Sequence, residues 1–349
     1  KLLVLYLSNI NNFIKHMNIN TYTYELANFV CKFNTHNLVD MLHEIILPAF
    51  TIEDTWKVKR GSFFFQSTEV IQLPNSKEKT FAIVGRFIRD TRLTSTQVYD
   101  YDAKELKPQK RSIQTSPSAI FVLILNNHRL IYLKETPHAP TLEMFKDTCQ
   151  TFFRRQTKRY AESLLEEARR DFIKEYGLPD VNITPLNTRE SLEEFLNQYK
   201  KIESIRITLK KRNDELQFKN DLIKKAQLKT DAIKSSTTTI SFTNKKDGLD
   251  FDQTLEQLDE ATEQGNQGIL IEGINESGDV IKGNNEKFKV IKTISGINLE
   301  NILETGKKLY GSFLKLSAQK KIIIPETKSS VKNKLQSLNI IEKSEDGKQ

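Results

Sequence analysis

Apolar positions recur along the chain with two periods, and these divide it into strands and helices. AIFVLIL at 119–125 is apolar throughout, as a strand buried on both faces would be. LIYLK at 130–134 returns after a turn at Asn126 and Asn127, residues that tolerate positive φ. GSFFFQSTEVIQL (61–73), TFAIVGRFIRDT (80–91) and TQVYDYD (96–102) read as further strands, and the basic stretch KELKPQKR (104–111) as a solvated loop. Residues 1–8 alternate as a first strand does. Between 22 and 47, Leu26, Phe29, Val30, Phe33 and Leu38 trace a stripe that predicts a helix, ended by Pro48.

The longest predicted helix runs from 142 to 176. Thr141 is its N-cap, with Glu143 in the first turn. Leu142, Phe145, Cys149, Phe152, Tyr160, Leu164, Ala168 and Phe172 recur at three- and four-residue steps and define one buried face. Gly177 followed by Pro179 ends it. Beyond that point strands and helices alternate. Strands are predicted at 180–186, 202–212 and 237–245, and helices at 188–201, 214–233 and 251–264. Asn187 with Glu190 and Asp250 with Gln253 have the spacing of capping boxes. GILIEGINESGDVIKG (268–283) and KFKVIKTIS (287–295) read as hairpin strands around Ser277-Gly278, and 298–318 as a last amphipathic helix.

This order predicts an α+β protein of two domains, each a mixed or antiparallel sheet with packed helices, joined by a long amphipathic helix. The expected divisions are 1–177, 178–320 and a fraying tail at 321–349.

Composition narrows the class. The chain has 349 residues, two cysteines and a formal net charge of +8. Cys31 and Cys149 each sit in an apolar pattern and are expected to be buried reduced thiols. No apolar run approaches the roughly 18 residues of a membrane span, so direct membrane insertion is not expected. Richness in Lys, Asn and Ile suggests an AT-rich microbial genome, and a cytoplasmic protein is the expectation.

Charge is segregated. Residues 199–234 hold eleven basic against five acidic side chains, whereas 245–282 hold three against ten. Three basic groups stand out: Arg154, Arg155, Lys158 and Arg159 on the long helix, Lys210, Lys211 and Arg212 closing a strand, and Lys224, Lys225 and Lys229 on the next helix. Such groups neutralise phosphates and release counterions, which gives affinity with little sequence choice. Glu162, Glu166 and Glu167 could instead answer the arginines as i,i+4 partners on a solvated face.

Other chemistry is sparse. His128 and Arg129 at the predicted hairpin tip could contact phosphate, or be ordinary turn residues, and His138 in PHAP reads as a loop residue. The histidines share no metal-ligand spacing, and neither a P-loop nor a Gly-x-Ser-x-Gly elbow occurs. A metal-dependent nuclease could use Asp250, Asp252 and Glu272, but Ile274 stands where that site needs lysine. No cofactor, metal site or catalytic residue is predicted.

The succession IVGRFIRDT, AIFVLILNNHRLIYLKE and a long helix, followed by SIRITLKKRND and GILIEGINESGDVI, resembles bacterial families encoded near phage-defence genes. Among these are the proposed DNA-binding components of the Rex and Kiwa systems. The resemblance covers residues 80–295 as element order and carries over no individual residue. It implies a prokaryotic cytosolic protein, dimeric, that engages nucleic acid alongside a second defence subunit.

The expectation is therefore non-sequence-specific binding of nucleic acid, DNA before RNA. The contacts named are Arg154, Arg155, Lys158, Arg159, Lys210, Lys211, Arg212, Lys224 and Lys225, with His128 and Arg129 secondary. The alternatives are a structural or adaptor subunit whose segregated charge mediates homo-oligomer or partner-subunit contacts, and the metal-dependent nuclease.

Overall fold

The computed structural model describes residues 20–75, 78–213, 220–263, 265–336 and 338. From the amino-terminal side come β1 (Thr21–Phe33), β2 (His36–Asn37) and a helical passage of a 3-10 turn (Leu38–Met41), a π turn (Leu42–Ile46) and α1 (Leu47–Thr51). Next are β3 (Trp56–Val58), β4 (Gly61–Leu73), β5 (Thr80–Asp100), β6 (Glu105–Thr115), β7 (Ser118–Ile124) and β8 (Arg129–Lys134). Helices α2 (Leu142–Ser163) and α3 (Glu166–Tyr176) precede β9 (Pro179–Pro185), α4 (Arg189–Leu196), β10 (Lys201–Leu209), α5 (Asp221–Ala232) and β11 (Thr238–Thr243). The chain continues with α6 (Phe251–Thr262), β12 (Gly268–Ile274), β13 (Val280–Asn284), β14 (Ile291–Ser295), α7 (Ile302–Ala318) and α8 (Ser329–Gln336).

Helices and antiparallel sheets together make an α+β fold. The larger sheet runs β14-β1-β8-β7-β5-β4-β3, and the smaller β11-β10-β12-β13. β7 lies inside the larger sheet and is buried on both faces. Ala119, Phe121 and Leu123 point into a core shared with α2, the helical passage and α8. Ile120, Val122 and Ile124 point into the opposite core, which α7 covers. No helix among the described residues is long and apolar enough to cross a membrane.

β1 explains why the predicted helix at 22–47 is a strand over most of its length. Its Thr, Tyr, Phe and Val residues suit a pleated surface, and burial on both faces mimics a helical stripe without alternating strictly. One edge of β1 pairs with β8. The other is shared end to end, by β14 along Thr21–Glu25 and by β9 along Ala27–Phe33. Glu25 is buried at this meeting, 2.6 Å from Lys134 Nζ and 2.8 Å from Lys289 Nζ.

Between β9 and β14 the chain builds a second unit, in which α4, α6 and Ile223 of α5 close on the smaller sheet. Sequence placed β9, β14 and α7 with that unit, behind a boundary at 177/178. Strand pairing and packing put all three with the larger sheet. The smaller hairpin is β12–β13 alone, since the 287–295 segment supplies β14 to β1 instead.

Other differences have local causes. The 142–176 helix breaks at Leu164 and Leu165, both extended, and packs on the larger sheet as a surface layer, not as a link between domains. KELKPQKR is not a loop but most of β6, paired along β5. Thr188, not Asn187, caps α4, with Ser191 completing the box, while Asp250 caps α6 as expected. The expected strand at 1–8 lies outside the described residues, as do 214–219 of the helix predicted at 214–233. The described part of the tail is docked, with Ile322 in one core and Val331 and Leu335 in the other.

Candidate nucleic-acid interface

α2 carries the centre of the candidate surface. Thr141 Oγ1 accepts from the Met144 amide at 3.3 Å, and Phe145, Cys149, Phe152 and Phe153 hold the helix on the sheet. Its far end is capped from outside. The Arg169 guanidinium donates to the carbonyls of Ala161 (2.9 Å), Glu162 (3.1 Å) and Leu164 (3.4 Å), satisfying groups that a longer helix would have used itself.

Arg154, Arg155, Lys158 and Arg159 of α2 fall into two pairs. Arg155 Nη1 lies 3.0 Å from Asp54 Oδ1, and Arg159 Nη2 lies 3.1 Å from Asp54 Oδ2. Arg155 also donates to Thr55 O at 3.1 Å and lies over the Phe152 ring. Arg154 and Lys158, one turn apart, are exposed and make no ion pair among the described residues. Glu162, Glu166 and Glu167 do not answer them there, because the break at Leu164–Leu165 takes the last two off the helix axis.

Asp54 also fixes a second basic element that the sequence reading missed. It leads into β3, where Lys57 is exposed, and the turn from β3 to β4 carries exposed Lys59 and Arg60. Gly61 has φ +124°, and a Cβ there would stand 2.1 Å from Asp90 O, so only glycine lets this turn lie against β5. Thr91 Oγ1 bonds Arg60 O at 2.9 Å on the same side. The available signal was the alternation in Trp56-Lys57-Val58-Lys59 running into Arg60-Gly61.

The other basic groups are more compensated. Lys210 is half-buried, and its ammonium is held below the usual lysine range by burial and then by Lys146, against the opposing pull of Glu143. Lys211 pairs with Asp180 at 3.3 Å, and Arg212 reaches Asp231 at 4.0 Å. Lys224 and Lys225 are exposed on α5, in the second unit.

His128 and Arg129 are not a solvent-facing tip. They are 1% and 0% exposed, and His128, not either asparagine, takes the left-handed conformation at φ 55°. The Phe29 amide donates to His128 O at 2.8 Å, and Arg129 Nη2 donates to Ile323 O at 3.2 Å. The segment between α7 and α8 passes over the tip and encloses it. Asn126 adds bonds to the Phe81 amide and Lys79 O, at 2.8 and 2.9 Å. These residues organise the fold and offer no surface to a polyanion.

Among the described residues no group of three His, Cys, Asp or Glu side chains is placed to hold a metal ion. Asp250 accepts from the Gln253 amide at 2.9 Å as a helix cap, and Glu272 pairs with Lys282 at 2.9 Å across β12–β13. That bond to Lys282 holds the Glu272 carboxyl below its usual range. A cleft of about 870 Å³ beside α7 is lined by Asn75, Glu78, Thr80, Tyr310, Thr327 and Lys332. Its polar groups bond one another, with Asn75 Nδ2 on Thr80 Oγ1 (2.8 Å) and Thr327 Oγ1 on Glu78 Oε1 (2.7 Å).

No family model and no curated protein sequence matches the chain.

Proposed function

We propose that the protein binds nucleic acid, DNA before RNA, by phosphate contacts from the exposed side of α2 and the β3–β4 turn. The observation that carries this reading is the contrast on α2. Arg155 and Arg159 serve the fold through Asp54, while Arg154 and Lys158 project from a rigid helix without acidic neighbours bonded to them. Lys57, Lys59 and Arg60 extend the same charge from an element tied to α2. The set is an array of positive charges, which contacts to phosphate would use for position and not for sequence, so the binding is of low sequence preference. Bacterial anti-phage defence with a second subunit is the setting that the element order suggests.

The test is a titration into labelled duplex DNA, single-stranded DNA and RNA over a salt series. Arg154→Ala with Lys158→Ala is expected to reduce the slope of log K against log salt on duplex DNA by about 1.8, since each neutralised phosphate accounts for about 0.9. Lys224→Ala with Lys225→Ala is expected to change it by less than half as much. An unbound protein at low salt on all three ligands would overturn the proposal.

A further inference from the structure

β5 and β6 continue beyond the sheet as a two-stranded ribbon, Thr91 to Thr115, with a turn at its far end. Leu93↔Ile113, Ser95↔Arg111, Gln97↔Pro108 and Tyr99↔Leu106 are opposed pairs, and alternation along β5 puts them on one face. Leu93, Ile113, Tyr99 and Leu106 are 50%, 69%, 44% and 63% exposed, so the described residues leave that face uncovered. Its one charge is Arg111, which is exposed and makes no ion pair among the described residues. The carboxylates lie on the other face or in the turn. Asp100 and Glu105 oppose each other there, and Asp100 is engaged by Lys107 Nζ at 2.7 Å and by the Asp102 and Ala103 amides at 3.0 and 2.9 Å. Lys107 also reaches Glu105 at 3.8 Å. Counted by twos along β5, the uncovered face continues that of Phe87, which packs in the core beneath α2, so at its base it looks the same way as α2. That base is tied to the cationic β3–β4 turn by Thr91 Oγ1, which donates to Arg60 O at 2.9 Å.

We propose that this ribbon is an arm that lays its apolar face in the major groove of B-form DNA, which rests on the phosphate-contact reading above and extends it from affinity to the form of the duplex. Three features fit that occupant. The first is the mixture on the face. A protein surface covering the four apolar side chains would have to supply a carboxylate to Arg111. A groove supplies apolar base edges, thymine methyls among them, with phosphates along its rims. The second is position. The face stands beside Lys59 and Arg60 and at its base looks the same way as the exposed side of α2, so the arm extends the surface already assigned to phosphate. The third is size. Strands about 4.8 Å apart, with their side chains, make a ribbon about 10 Å wide. The major groove of B-form DNA is about 12 Å wide and admits a two-stranded ribbon, whereas that of A-form RNA is too narrow. Leucine, isoleucine and proline side chains have neither donor nor acceptor, so groove entry adds contact and duplex selection with little sequence choice.

Fluorescence anisotropy of the full chain at low salt, on three labelled duplexes of one sequence, separates groove entry from phosphate contact. The duplexes are unmodified DNA, the same DNA carrying glucosylated 5-hydroxymethylcytosine, and RNA. The glucosyl groups fill the major groove and leave the phosphates in place. The wild-type protein is expected to bind the second and third at least about 5-fold more weakly than the first. Leu93→Ser with Ile113→Ser should weaken binding to unmodified DNA on the order of 10-fold and bring the three affinities within about 2-fold of one another. Thr94→Ala with Ser112→Ala, on the other face, should keep the wild-type affinities within about 2-fold. Equal wild-type affinity for the three duplexes would overturn the arm, assign its face to a protein partner and leave the contacts of α2 standing. So would a loss in Leu93→Ser/Ile113→Ser no larger than in Thr94→Ala/Ser112→Ala. The comparison of duplexes needs no variant, so it reads groove entry even if Leu93→Ser/Ile113→Ser does not fold. Absence of binding to all three duplexes would overturn the phosphate-contact reading and the arm together.

Discussion

The Val290 amide donates to the Leu186 carbonyl at 2.8 Å, so the segments leading into and out of the second unit lie side by side at its base. The Leu186 amide in turn donates to Leu26 O at 2.8 Å, which ties the pair to β1. Val290→Pro removes the first donor and leaves a buried acceptor. It is expected to cost about 2 kcal/mol and to make both connections the first sites cut in limited proteolysis. Cleavage confined to other loops would show that this bond does not close the base.

Asp54 restrains two arginines that could otherwise face phosphate. Asp54→Asn keeps the shape and removes the charge, so Arg155 and Arg159 become available. Duplex-DNA affinity at low salt should rise, and its salt slope should steepen by up to about 1.8. The thermal midpoint should fall only slightly, because the ion pairs are partly exposed. An unchanged or shallower slope would place these arginines outside the contact surface.

Alkaline pH should destabilise the fold in two stages. Burial pushes the Cys31 and Cys149 thiols up. Unfolded thiols ionise near pH ~8.5 while the folded ones keep their protons, so stability falls as pH rises through that unfolded value. Burial opposes the charge on Lys289, but its bonds to Glu25 and Glu286 outweigh that and leave it above the usual lysine range. Its contribution is intact below about 10.4 and is lost as pH rises through the folded value. Denaturant unfolding of Cys31→Ala/Cys149→Ala across this window should show the second decline without the first. An undiminished first decline would assign it to other groups.

Arg129→Met should separate architecture from binding. Removing a wholly buried guanidinium bonded to Ile323 O leaves that carbonyl unsatisfied and is expected to cost about 1–3 kcal/mol. Arg154→Ala, on the exposed side of α2, should stay within about 0.5 kcal/mol by thermal unfolding. Equal stability losses would contradict the division between the two sites.

What could be read from sequence follows a physical line. β7 was legible because a short run apolar at every position fits a doubly covered strand. β1 was not, because Leu26, Phe29, Val30 and Phe33 fill both faces and happen to fall at helical steps. The break after Ser163 was hidden because Leu164 fits the apolar period, and the group that ends α2 is Arg169 reaching back from the next helix. Of the basic residues of α2, Arg154 and Lys158 are exposed and make no ion pair among the described residues. The roles of Arg155 and Arg159 depend on Asp54, about a hundred positions earlier, and no local pattern announces that. His128 and Arg129 looked exposed because a hairpin tip usually is, and the segment that covers them comes from residue 323.

The shared edge of β1 has a consequence for synthesis. β1 is made well before β14, which completes its outer edge and ends at Ser295. At about 5–20 residues per second, that stretch of edge stays unpaired for roughly 15–55 seconds while the intervening chain is made. A nascent chain of this protein carries Thr21–Glu25 as an open strand edge until Ser295 has been made, and that interval is when a chaperone would have most to hold.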